Sequence, residues 1–275
     1  MTKENDVAKT GQGVAVAAED EQLQGAEMRA AFADALEGRK ATYALLARLF
    51  RTEVDRELLD TLMGMQFPTN TGNAQVDKGY RMIVEYLNHA DANVLTDLAI
   101  DYVRAFIGSG NDGFSAAYPY ESVYTSPKRL MMQDARDEVL ALYRAAGLDK
   151  HEGWKEGEDH IALELEYLQV LCDRALEAWR ASDDAACERS LRAQRNFLAD
   201  HLMAWYPMMA GDMMKFPKTS FYQGLGVLLT GFLSNERDFL DDVLGRGDEA
   251  DGAQGGVASD ALADMPADEL AESVA

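Results

Sequence analysis

Cysteine is nearly absent, with only Cys172 and Cys187 in 275 residues. Neither belongs to a C-x-x-C pair, which excludes a disulfide framework and the usual zinc and redox sites and points to a reducing compartment. Histidine is also scarce. His89, His151, His160 and His201 include no H-E-x-x-H pair, and no glutamate stands three residues before any of them, so zinc-peptidase and di-iron arrangements are excluded. No G-x-S-x-G elbow surrounds Ser122 and no Walker A sequence occurs. Long apolar runs are missing too. The longest near the C-terminus, Val227 to Leu229 among Gly224, Gly226 and Gly231, is far short of the roughly 20 residues a bilayer requires. The first residues set Lys3 and Lys9 among Glu4 and Asp6 without the apolar core of a signal peptide. The expected location is therefore the cytoplasm. Basic residues are outnumbered, 26 against 48 acids, for a formal net charge of −22. Such a chain repels nucleic-acid backbones and anionic membranes and favours a cationic partner.

Also missing is period-two alternation over any strand length, whereas apolar residues recur at helical spacing almost everywhere. With 47% hydrophobic residues the chain supports a substantial core, and the expected fold is all-α, a single globular multi-helix domain over residues 28–243. Residues 1–27 and 244–275 are rich in Ala, Gly and acid and read as disordered tails. Tyr43, Leu46, Leu49 and Phe50 mark an early helix, and Met82, Ile83, Tyr86 and Leu87 another. A further helix, capped by Asp91, carries Leu95, Leu98, Tyr102 and Phe106. Gly108 to Pro127 is expected to be a long loop of functional character, followed by a helix from Leu130 to Ala146. The longest helix places Ile161, Leu165, Leu168, Cys172, Ala175 and Trp179 on one stripe, with Glu164, Glu166, Gln169, Asp173 and Glu177 off it. A helix from Leu191 to Trp205, a Met-rich turn, and a last helix through Phe221, Leu225, Leu228, Phe232 and Phe239 complete the reading.

Two polar clusters stand at helix mouths. Asp159-His160 opens the longest helix, where an aspartate most often caps free N–H groups. His160 there feels a helix dipole that disfavours its charge and four acids, Glu156, Glu158, Asp159 and Glu164, that favour it. Carboxylates in such a place suit the planar donors of an arginine. Tyr118, Tyr120 and Tyr124, with Glu121 and Ser122, make an aromatic patch with hydroxyl handles, fit either to pack the loop or to contact a peptide. Asp97, Asp101 and Arg104 share a helix face, by default a solvated ion-pair face. Met131, Met132, Met203, Met208, Met209, Met213 and Met214 serve as gap-fillers or line a groove for varied apolar segments. Gly108-Ser-Gly-Asn-Asp-Gly113 matches G-x-G-x-x-G in letters, but it follows a helix where a dinucleotide site needs a strand; a hinge or loop is expected. No metal is expected, and a site built from His160, Glu156 and Glu164 has nothing further to support it.

Four blocks of this chain resemble the TorD/DmsD/NarJ family of cytoplasmic chaperones that mature molybdenum-containing oxidoreductases. Leu98-Ala-Ile-Asp101-Tyr102-Val-Arg104-Ala-Phe106 is similar to the family's L-x-x-D-Y-x-R-L-F. Tyr120-Glu-Ser122-Val-Tyr124 is the second block. Glu156-Gly-Glu-Asp159-His160, followed by Glu164-Leu165, is similar to E-P-x-D-H, with Gly157 in place of the signature proline. His201-Leu-x-x-Trp205 through Phe221-Tyr222-x-x-Leu225 and Phe232 form the last. The resemblance implies a non-enzymatic helical chaperone that binds the twin-arginine signal peptide of a molybdopterin-containing precursor and holds it until cofactor insertion is complete. The expected signal-peptide-binding residues are Tyr120, Ser122, Tyr124, Glu156, Asp159, His160 and Asp101. Asp159 and Glu156 would take the arginines, His160 would orient them or bond peptide carbonyls, and the tyrosines would line the groove; Asp101 with Arg104 is read more readily as a brace. No cofactor is expected of the chain itself. The family's association with guanine nucleotides is a secondary expectation, and its domain-swapped oligomers leave monomer and exchanged homodimer both open, with Gly108–Pro127 as the hinge. The rival readings are a nucleotide- or metal-dependent hydrolase and a structural helical adaptor.

Overall fold

The computed structural model describes residues 5–108 and 114–245, with side chains from Leu23 onward. Among these residues the chain forms α1 (Asn5–Arg51), α2 (Arg56–Gly64), α3 (Ala74–Asn88), α4 (Val94–Tyr102), α5 (Glu121–Thr125), α6 (Asp134–Ala145), α7 (Ile161–Arg180), α8 (Asp184–Phe197), α9 (Met203–Lys215) and α10 (Ser220–Leu244). A π-turn, Val103–Ile107, extends α4, and a second, Leu198–Leu202, joins α8 to α9. The all-helical class read from the periodicity is the class found. One antiparallel bridge, Tyr120 to His160, joins two extended segments.

The long helix α7 sits at the centre. Ile161, Leu165, Leu168, Cys172 and Ala175 are fully buried, on the stripe the sequence predicts, and pack against α1 and α8. From α1, Leu36, Tyr43, Leu46 and Phe50 enter the same core. Each such aliphatic or aromatic side chain contributes about 1.5–3 kcal/mol by leaving water. On the other side α10 packs closely on α3. Small residues set that approach: a β-carbon at Gly79 would lie 2.5 Å from the Leu228 nitrogen, and one at Gly231 would lie 2.6 Å from the Val76 nitrogen.

The start of α1 falls within the stretch expected to be a tail, and Leu23 and Met28 are 60% and 70% exposed. Further along, Arg29 stacks 4.0 Å from the Trp179 ring and exchanges hydrogen bonds with it: Arg29 Nη2 donates to the Trp179 carbonyl, and Trp179 Nε1 to the Arg29 carbonyl, both at 2.9 Å. Residues 1–4 and 246–275 of the expected tails, and Ser109 to Gly113 of the glycine motif, lie outside the described residues.

Several boundaries differ from the sequence reading. Asp91 does not cap α4; its Oδ1 accepts from the Asn93 nitrogen at 2.7 Å, and the helix starts at Val94. The Met-rich turn is helix α9, because methionine and alanine favour helix and Pro207 stands only four residues into it. Helix α6 begins at Asp134 and not at Leu130, since Arg129 and Met132 take left-handed φ values of +52° and +60°. The segment expected to be a long loop after Gly108 is largely interior: residues 116–124 are buried, and four of them belong to α5.

Candidate functional site

The two sequence clusters meet. The Tyr120–His160 bridge is extended by the Glu121 nitrogen, which donates to the Asp159 carbonyl at 3.0 Å, and by the Ile161 nitrogen, which donates to the Pro119 carbonyl at 2.9 Å. This backbone seam fixes α5 against the mouth of α7. Below it lies a buried polar layer, and above it a half-exposed rim.

In the buried layer Asp159 is fully enclosed. Its Oδ2 accepts from the Ser122 nitrogen at 2.9 Å and from the Ser122 hydroxyl, while Oδ1 has no partner. Burial raises its pKa, the Ser122 bonds partly offset that, and the Glu121 carboxylate adds to it. Glu164 is equally enclosed and accepts from Trp205 Nε1 at 3.1 Å. Burial, followed by the carboxylates of Glu121 and Asp159, raises its pKa well above the ordinary carboxylate value and favours its neutral form. Glu121 meets His201 Nδ1 at 3.0 Å. Three acidic side chains from α5, α7 and the segment before it thus share one buried volume with His201 and Trp205.

His160 belongs to this layer as well. Its Nδ1 accepts from the Ala162 nitrogen at 3.1 Å, capping α7. Burial, then the nearby Arg51 charge, lowers its pKa to about 3. The acids that the sequence placed around it do not charge it: Glu158 is bonded to Arg136 Nε at 2.5 Å and Lys150 Nζ at 2.8 Å, and the imidazole is neutral with its proton on Nε2.

The rim is built from Tyr120, Glu156 and Trp154 on one side and Tyr124, Asp212 and Arg129 on the other. The Tyr120 hydroxyl donates to Glu156 Oε2 at 2.5 Å, and the Glu156 side chain is exposed. The Tyr120 and Trp154 rings stand edge-on to His160 at 5.0 and 5.1 Å. The Tyr124 hydroxyl donates to Asp212 Oδ2 at 3.1 Å, Arg129 pairs with the same oxygen at 3.6 Å, and the Tyr124 ring stacks on Trp205.

The structure therefore gathers Tyr120, Ser122, Tyr124, Glu156, Asp159 and His160, but divides them by depth. Glu156 is at the surface. Asp159 is not, and its carboxylate is already engaged with Ser122, which corrects its expected role as a direct arginine ligand. Tyr120 and Tyr124 show only their edges, at 7% and 8% exposure. Asp101 stands apart: it accepts from the Lys218 and Thr219 nitrogens at 2.8 Å each, from the Thr219 hydroxyl at 2.7 Å and from Arg104 at 2.7 Å. It braces the start of α10 against α4, and the reading of this aspartate as part of a solvated face gives way to a 1% exposed anchor. Glu164, placed off the apolar stripe by the periodicity, is wholly inside, facing Glu121 of α5 and Trp205 of α9. Asp212, Arg129 and Trp154 escaped the sequence reading; they stand in no motif, and only the fold brings them to the rim. Among the described residues no group of three or more potential ligands is arranged to hold a metal ion, and no helix is long and apolar enough to cross a membrane.

The family model described as nitrate reductase delta subunit matches residues 73–211, a span that contains α5, the mouth of α7 and the π-turn with His201. The chain belongs to this family of TorD/DmsD/NarJ chaperones. Its relatives include the chaperone protein TorD of Vibrio cholerae, 30% identical over 156 residues that cover 57% of this chain and 67% of the relative. The TorD chaperones of Vibrio parahaemolyticus and Aliivibrio salmonicida are 27% and 25% identical over 210 residues each, covering 74% of this chain and 95% of theirs. The resemblance read from the four blocks is thus borne out, and with it the expectation of a chaperone in place of an enzyme. Gly157, where the sequence reading places the signature proline, is buried, and a β-carbon there would lie 2.7 Å from Asp159 Oδ1. In this chain the segment folds so tightly over the aspartate that glycine is the residue it accommodates.

Proposed function

We propose that this TorD-family chaperone acts in the cytoplasm on a molybdopterin-containing oxidoreductase precursor, binding its twin-arginine signal peptide and retaining it until cofactor insertion and folding are complete. The observation that carries the reading is Glu156: an exposed carboxylate, held in place by the Tyr120 hydroxyl at 2.5 Å, at the edge of an aromatic rim within the matched span. Burial and the bond to Glu156 keep the Tyr120 phenol protonated and donating. Glu156 takes an arginine of the pair, while the Asp212 carboxylate stays with Arg129 and the Tyr124 hydroxyl. Asp159 acts from beneath as a positioning residue, because its bonds to Ser122 set α5 and hence Tyr120.

Titration calorimetry with the signal peptide tests this. Glu156→Gln is expected to weaken binding about five- to tenfold, the lower end of a charge-assisted bond because the carboxylate is solvated. A peptide with glutamines for both arginines should lose at least as much. Equal binding of the two peptides by the native protein would turn the reading over to the structural adaptor.

A further inference from the structure

The segment between α5 and α6 exposes three successive apolar side chains, Leu130, Met131 and Met132, at 45%, 40% and 53%. This exposure is imposed by the backbone. Arg129 and Met132 stand in the left-handed region at φ +52° and +60°, which disfavours any residue with a β-carbon. The strain is held by a set of bonds: the Arg129 nitrogen donates to the Ser126 carbonyl at 3.1 Å, Gln133 Nε2 donates to the carbonyls of Met131 and Met132 at 2.9 and 3.2 Å, and the Gln133 nitrogen donates to the Ser122 hydroxyl at 3.3 Å. Ser122 is itself locked by Asp159. The buried layer therefore anchors both the seam and this loop.

The loop is continuous with the rim. A β-carbon at Gly157 would lie 3.6 Å from Sδ and Cε of Met132, so the methionine borders the glycine next to Glu156. At the other end Arg129 lies 4.8 Å from the ring of Phe114, which is 63% exposed, and pairs with Asp212. An apolar shelf thus runs between the exposed Glu156 carboxylate and the Arg129–Asp212 ion pair. Methionine suits a surface that must accept different apolar sequences, because its side chain is flexible and polarisable.

We propose that Leu130, Met131 and Met132 form the subsite for the apolar segment that follows the cationic residues of the bound peptide, the cations lying on Glu156. The inference rests on the peptide-binding reading above and adds to it the place and side chains of the apolar contact. Charge complementarity selects the occupant: a purely apolar partner would leave the exposed Glu156 carboxylate without a cation at the shelf's end, Asp212 being already paired with Arg129, and a purely cationic one would leave the shelf wet.

Two synthetic peptides separate the contributions, one with an arginine pair followed by a leucine-rich segment, the other with serines replacing that segment. The test protein carries Leu130→Ser, Met131→Ser and Met132→Gly. Glycine adopts a φ of +60° without penalty, and serines at exposed positions cost the core nothing, so the thermal midpoint should hold or rise. The variant is expected to bind the leucine-rich peptide about tenfold more weakly than the native chain and the serine peptide equally well. Undiminished binding of the leucine-rich peptide by the variant overturns the shelf while leaving arginine recognition at Glu156 standing. An equal loss for both peptides also overturns it, since the loop would then act through the arginine site. Equal binding by the native chain of the leucine-rich peptide and of a third peptide with glutamines for both arginines removes the peptide reading itself and this inference with it.

Discussion

Two clusters of charged side chains lie inside this protein, and they are balanced in opposite ways. Where α1, α8 and α10 meet, Arg39 and Glu236 form a bidentate pair at 2.8 to 3.0 Å, and Arg39 Nη2 also donates to Gln194 at 2.6 Å. Gln194 in turn donates to the Leu171 carbonyl and accepts from the Cys172 thiol. Burial pushes that thiol up to about 12, so it is an inert polar filler. Here a buried acid has its own cation and its remaining bonds are largely met. At the junction of α5 and α7, by contrast, Glu121, Asp159 and Glu164 share a volume with no lysine or arginine bonded to them, burial and the neighbouring carboxylates raise the pKa of Glu164, and oxygens of Asp159 and Glu164 lack partners. The first cluster is a rivet that joins helices. The second lies under the proposed binding rim, where fold stability alone does not account for an acid-rich interior.

The comparison is broken most forcefully from the balanced side. Arg39→Met leaves Glu236 without its cation in the interior and is expected to cost about 3–5 kcal/mol, read as a large fall in denaturation midpoint, while the fraction still folded binds peptide normally. A small loss would mean that Glu236 escapes by protonation and that the two clusters are alike.

On the site side the sign of the pH response is the sharper test. His160 is neutral when folded, its pKa lowered by burial to about 3 from the ordinary imidazole value of 6.5, so the unfolded chain binds the extra proton between those values. Stability from this group is complete above about pH 6.5 and falls with pH towards 3, by about 1.4 kcal/mol per unit. Glu164 acts oppositely: its folded pKa is raised, so the native state holds the extra proton, and stability declines as pH rises from the unfolded value near 4.5. His160→Gln should flatten the acid limb of a urea-midpoint profile, and Glu164→Gln the limb above it. An unaltered acid limb in the His160 variant would mean that the imidazole is charged in the native state.

The smallest expected effect is that of Glu164→Gln near pH 5, because the raised pKa of the native side chain favours its uncharged form; about 1 kcal/mol or less is expected. The same change at Glu236 should cost several times more, since it discharges one half of an ion pair. Equal costs would erase the distinction between the two regions.

Much of this was legible in the chain. The stripe Ile161, Leu165, Leu168, Cys172 and Ala175 is a helical period and is buried as a period should be. The motif pair at Tyr120 and Asp159 was legible because its letters are polar in unusual company. Depth was not. Glu164 lies off the apolar stripe, and periodicity measures one helix at a time; its burial is decided by Glu121 of α5 and Trp205 of α9, which arrive from elsewhere. Residues 116–124 have the composition of a surface loop, yet tyrosine and serine serve a buried segment equally well when neighbouring backbone meets their bonds. The left-handed Arg129 and Met132 carry no sequence signal, because neither residue type favours that conformation.

The close fit of α10 on α3 also sets an order of events. The glycine face of α3 at Gly79 is filled by Leu228, and Val76 meets Gly231, both partners lying on α10, about 150 residues further along the chain. At about 5–20 residues per second, α3 waits roughly ten to thirty seconds for its mate. During that interval its apolar side has no native cover. A protein that shelters others thus closes this part of its own core only when α10 emerges, and a chain truncated before Gly231 would itself need shelter.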